Sequence, residues 1–80
     1  MEDEFKIDIK VKKGLYRHYK GDEYIVWGQG FHTETGEPLV FYMSIRDGKS
    51  WARPASMFIE TVKMEGKSIP RFQLLKSYEV

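Results

Sequence analysis

Eighty residues, 41% hydrophobic and 31% charged, suit one soluble globular domain with a single modest core rather than a disordered tail. The absence of cysteine excludes disulfide staples and thiolate nucleophiles or ligands, and predicts a reducing, cytoplasmic setting. A net charge of +1 gives no whole-molecule field favouring nucleic acid or an acidic surface, and no apolar run approaches the length of a membrane helix.

The periodicity along the chain is almost entirely two-fold. The opening MEDEFKIDIK lacks the uninterrupted apolar stretch of a signal peptide. Phe5, Ile7, Ile9 and Val11 alternate with charged residues, the pattern of a strand with one face in water. Such a segment over 5–11 is able to pair with a sheet edge or with a second copy, so Phe5–Val11 is one route to a homodimer. Five cations (Lys10, Lys12, Lys13, Arg17, Lys20) and no acid then lie between Ile9 and Gly21, interleaved with Tyr16, His18 and Tyr19.

Leu15–Tyr19 reads as a short segment between Gly14 and a Lys20-Gly21-Asp22 turn. Glu23–His32 is rich in β-formers, and its Gly28 and Gly30 predict a bend or bulge. Thr33–Pro38 reads as a loop. Leu39–Arg46 is the clearest strand, with its Leu39–Ile45 run apolar on both faces; Phe41 and Met43 hint at a contact surface. Asp47-Gly48 predicts a type I′ hairpin turn into Ser50–Arg53. Phe58–Met64 follows, then a Glu65-Gly66 turn, then Ile69–Leu74 as an edge strand interrupted by Pro70. Lys76–Val80 reads as a frayed tail.

Pro54 pushes Arg53 into an extended conformation and favours a helical turn after itself, so one 3₁₀ turn is expected near Pro54–Met57. Trp51 and Arg53 share one face of their strand. Ala52 suits a crowded interior, which leaves Trp51 and Arg53 on the outer or rim side, able to stack on a flat ligand or on each other. Short strands joined by tight turns, with no repeat and no linker, predict an all-β fold: one domain over 1–80, a small SH3-like barrel of five to seven short antiparallel strands.

GLYRHYKG (Gly14–Gly21), HTETGE (His32–Glu37), WARPASMF (Trp51–Phe58) with IETV after it, and IPRFQ (Ile69–Gln73) stand in order with compact spacing. In these motifs the chain resembles a bacterial family known as domain of unknown function sixteen fifty-three, over about 14–74. The resemblance implies an SH3-type barrel and no assigned activity. It leaves the strand-like segment over 5–11 outside the shared region.

Polar and aromatic chemistry exceeds what so small a core needs, since Tyr24, Trp27, Phe31, Phe41, Tyr42, Phe58 and Phe72 supply more aromatic surface than one barrel hides. A non-catalytic binding module for a protein or peptide is therefore the leading expectation, with Arg17, His18, His32, Tyr42, Trp51 and Arg53 around one barrel mouth. The alternative is single-stranded nucleic-acid binding through Lys10, Lys12, Lys13, Tyr16, Arg17, Tyr19 and Lys20, because basic grooves with aromatic platforms serve that purpose on small barrels. A second alternative is a small enzyme with a His-centred site at His18 or His32. No nucleophile motif, phosphate loop or paired-carboxylate signature accompanies it, and the two histidines lack metal-ligand spacing, so no cofactor and no metal are expected.

Overall fold

The computed structural model describes residues 9–79. Seven strands and one helical turn follow in chain order: β1 (Gly14–His18), β2 (Glu23–Phe31), β3 (Pro38–Ser44), β4 (Ser50–Pro54), α1 (Ala55–Phe58), β5 (Thr61–Met64), β6 (Lys67–Pro70) and β7 (Phe72–Ser77). All pairings are antiparallel. β4-β3-β2-β1-β7 make one five-stranded sheet, and β5-β6 make a separate hairpin. The fold is all-β, as expected, but hydrogen bonds do not close it into a barrel: β4 and β7 remain edges. No helix among the described residues is long and apolar enough to cross a membrane.

The alternation in β3 sets the two faces of the sheet. Pro38, Val40, Tyr42 and Ser44 are buried, and Leu39, Phe41 and Met43 between them are half-buried on the outer face. The core consists of Tyr16, Val26, Val40, Tyr42, Ala55, Phe58 and Phe72, with Ile9, Val11 and Tyr24 packed against it. α1 covers the inner face by inserting Ala55 and Phe58. Phe58 stacks on Phe72 with ring centroids 4.2 Å apart and planes 3° from parallel.

The two glycines of β2 do mark a bulge. The β2–β3 register shifts between Val26 and Gly28, leaving Trp27 as the extra residue. The close approach explains the glycine at 30: a Cβ there would stand 3.0 Å from the Phe41 ring. Trp27 stacks on that ring from the side, centroids 5.3 Å apart. Beyond the bulge, Gln29 faces inward opposite Val40. Its side chain accepts a hydrogen bond from Val11 N–H (2.7 Å) and donates one to the Ile9 carbonyl (2.9 Å).

Several local expectations change. The turn after Pro54 is α-helical rather than 3₁₀, because Ile59 N–H reaches the Ala55 carbonyl at 3.2 Å. Phe58 ends that turn in the core instead of starting a strand. Ile69–Leu74 is two strands, not one, because Pro70 ends β6 and Arg71 turns away to bond the Glu60 carbonyl through its N–H (2.9 Å). The described part of the C-terminal tail is not frayed: Lys76 and Ser77 pair with Leu15 and Gly14, and Tyr78 N–H donates to the Lys13 carbonyl (3.0 Å), while Val80 lies outside the described residues. That order comes from backbone pairing, which leaves no hydrophobic pattern to read. Most of the segment 5–11 lies outside the described residues; Ile9 and Val11 are not in a strand.

Candidate functional site

A cleft of about 280 Å³ opens at the end of the inner face, where β1 stops, β2 begins and the edge strand β4 runs past β7. Its floor is Phe72, 7% exposed. Around that ring stand His18 (centroids 4.9 Å apart), Tyr42 (5.5 Å) and Tyr24 (5.7 Å), all edge-on. Edge-to-face contact is the arrangement ring quadrupoles favour, and it fixes the three polar tips relative to one another.

One wall comes from β4. Tyr42 pairs with Trp51 and Val40 with Arg53, so Trp51 and Arg53 share the inner face with the core. Ala52 pairs with Phe41 and is exposed on the outer face, the reverse of its expected interior position. Trp51 can be inward-facing and still 52% exposed because β4 is the edge and its inner face overhangs the cleft.

Arg53 is half-buried. Its Nε donates to the Tyr42 hydroxyl at 3.1 Å, and its Cζ lies 6.0 Å from the centre of the Phe72 ring. The ion pairs among the described residues join Arg17 to Glu23, Arg46 to Asp22 and Arg71 to Glu60; Arg53 has no carboxylate partner there. His18 accepts a hydrogen bond at Nδ1 from Lys20 N–H (3.2 Å), which places the proton of the neutral ring on Nε2. Burial, and then the nearby charges of Arg71, Lys20 and Arg53, lower its pKa below the usual 6.5, with Asp22 opposing them. The imidazole is thus held in its neutral form near pH 7.

At the mouth, Asp22 is taken by the Arg46 guanidinium. Asp47 accepts the Lys49 N–H at 3.0 Å, and this bond holds its carboxyl below the usual carboxylate range. Both acids are engaged by neighbours, whereas Arg53 and His18, which line the same cleft, have no acid bonded to them among the described residues.

Of the six residues expected around one mouth, His18, Tyr42, Trp51 and Arg53 come together. Arg17 does not: it alternates with Tyr16, which is inside the core, and pairs with Glu23 at 2.8 Å on the other side of the sheet. His32 lies beyond the far end of β2, where its Nδ1 accepts the N–H groups of Glu34 (3.1 Å) and Thr35 (3.3 Å) and shapes the loop. The histidines sit at opposite ends of that strand, and no group of three or more His, Cys, Asp or Glu among the described residues is placed to hold a metal.

The residues of the nucleic-acid alternative are dispersed. Lys10, Lys12 and Lys13 border a groove beside Gln29 before β1, and Lys20 lies past its other end. Tyr16 is buried, with its hydroxyl donating to the Lys12 carbonyl (2.7 Å), and Tyr19 leans on His18 with centroids 4.6 Å apart. Sequence reasoning did not place Tyr24 or Phe72 at the site, since each reads as an ordinary apolar strand position. Their role arises from β7 returning to pair with β1, a contact between distant segments.

A family model described as a protein of unknown function (DUF1653) matches residues 14–74. A solved structure, the crystal structure of a DUF1653 protein from Bordetella bronchiseptica, is similar to this chain, with 33% identity and a TM-score of 0.76. The likeness covers 88% of this chain and 94% of that one. No curated protein matches the sequence.

Proposed function

Since the chain belongs to the DUF1653 family, for which the description gives no activity, we propose that it is a non-catalytic binding module that captures a protein or peptide partner in the cleft floored by Phe72. One observation carries this reading: an exposed indole, two tyrosines and a half-buried arginine without an acid partner among the described residues converge on one opening. Aromatic walls with a few fixed polar groups are the composition of recognition sites, and Trp, Tyr and Arg are the residues that dominate binding energy when desolvated. Arg53, a cation without an acid partner among the described residues, disfavours an aromatic cage for a methylated ammonium group at this opening.

The test is a selection of peptides from a random library on the full chain, followed by affinity measurements on Trp51→Ala and Arg53→Ala. Both variants are expected to keep a dispersed amide spectrum and to lose about 2 kcal/mol or more of binding energy each, the scale of an interface hot spot. Global unfolding of either variant would instead assign the pair to structure. Titration with a pool of short single-stranded RNA and DNA addresses the alternative. Shifts confined to Lys10–Lys20 that fade steeply with salt would favour nucleic acid; the burial of Tyr16 and the pairing of Arg17 speak for the cleft.

A further inference from the structure

Building on the reading of the cleft as a binding site, we propose that its ligand is a carboxylate attached to an apolar or aromatic group, with the carboxylate on Arg53 and the apolar group between Trp51 and Tyr24.

The Arg53 guanidinium is held at one end. Its Nε is committed to the Tyr42 hydroxyl. The two terminal nitrogens remain, and they form the end of a planar fork that matches the two oxygens of a carboxylate. A half-buried guanidinium is costly to desolvate without an anion, and none is supplied by the described residues. His18 adds a neutral N–H donor: like Arg53, it lies against the Phe72 ring. Tyr42, held by Arg53 and by its contacts with Phe58 and Phe72, keeps the fork from swinging away.

The charge balance disfavours a dianion. The cleft is lined by two arginines and two aspartates, with His18 neutral, so the lining sums to zero. A phosphate dianion is normally met by several cations or by backbone N–H groups at a helix N-terminus. Here one cation is free of acid partners among the described residues, and Asp22 and Asp47 at the mouth would repel a second negative charge. The aromatic walls require something apolar beside the anion. A volume of about 280 Å³ fits one terminal residue or one side chain with its neighbour, not a folded segment.

Two sources share this chemistry: the C-terminal carboxylate of a peptide ending in an apolar residue, and an Asp or Glu side chain next to one. Three probes separate them: N-acetyl-Gly-Gly-Phe with a free carboxylate, the same peptide as its C-terminal amide, and N-acetyl-Gly-Phe-Glu-Gly-amide. Each is titrated into the isotope-labelled full chain while the Trp51 indole N–H and the Arg53 Nε–H resonances are followed. At least one carboxylate-bearing probe is expected to shift both, with the amide at least about tenfold weaker, the scale of a lost charge-assisted hydrogen bond. The free acid alone would assign the terminal carboxylate; the Glu peptide alone would assign the side chain. Arg53→Gln should lose the preference for acid over amide, and Arg53→Lys should recover only part of it because the fork is gone.

Equal binding of acid and amide would overturn the carboxylate while leaving the cleft as a peptide site. So would library-selected peptides that bind at Trp51 without needing Arg53. Silence of both resonances toward all three probes would also overturn it, and the library selection would then decide separately whether the cleft binds peptide at all.

Discussion

His18 is one residue through which pH acts on this fold. Its ring lies against Phe72 and Tyr19, and burial together with neighbouring cations lowers its pKa below 6.5. The unfolded chain therefore binds a proton more readily than the native one between the lowered value and about 6.5. Stability is expected to rise with pH through that window and to be free of this contribution above it. Urea midpoints for the wild type and His18→Gln across mildly acidic pH would show a flatter slope in the variant; parallel slopes would sink the assignment. The alternating strand pattern made it legible that Trp51 and Arg53 share a face. Which face was not legible, because a small alanine fits a crowded interior and an exposed edge equally well.

At the level of turns and strands, two dipeptides exchange roles. Asp47-Gly48 carries the stronger two-residue hairpin signal, yet only Gly48 of the pair has positive φ (73°). Ser44 N–H bonds the Lys49 carbonyl (2.8 Å), so the loop spans four residues, and the Asp47 carboxylate is spent on the Lys49 N–H. The two-residue turn is Glu65-Gly66, where both residues have positive φ, 52° and 80°. Glu65 is the one non-glycine in that region among the described residues. A left-handed non-glycine residue costs about 1–2 kcal/mol, and asparagine tolerates the conformation better. Glu65→Asn should therefore stabilise the β5–β6 hairpin by up to about 1 kcal/mol. Slower hydrogen exchange across the Met64–Lys67 pair would check this, and faster exchange would refute it.

For the molecule as a whole, one core serves both stability and the site. Phe72 belongs to the buried cluster and is also the floor against which His18, Tyr42 and Arg53 are set. Phe72→Ala is expected to cost about 3–5 kcal/mol, a large share of the roughly 4–12 kcal/mol available to a domain of this length. Thermal unfolding should show a collapse of the midpoint or no folded baseline, whereas Phe72→Leu, which retains most of the volume, should fold. A loss below about 1 kcal/mol for the alanine variant would mean the ring is not central. Strands β2, β3 and β4 were legible from β-former content and from Gly and Pro punctuation, whereas β6 and β7 read as one strand and the end of β7 as tail. The cleft was legible only in part: the pairing of β7 with β1 joins segments more than fifty residues apart, and no local pattern encodes it.

The extra residue at Trp27 settles more than the shape of β2, for it changes the parity of everything after it. Were Trp27 paired with Phe41 in regular register instead of bulged, the odd and even positions after it would trade sides. Gly28 and Gly30 would turn inward, Phe41 would lose the flat backbone it lies on, and the Gln29 amide would point to water. That amide presents one donor and one acceptor to the chain at Ile9 and Val11, as a neighbouring peptide group does. A side chain thus imitates a strand of backbone, and the entry of the chain into the domain is anchored by register: the bulge at Trp27 decides which side of the sheet receives it.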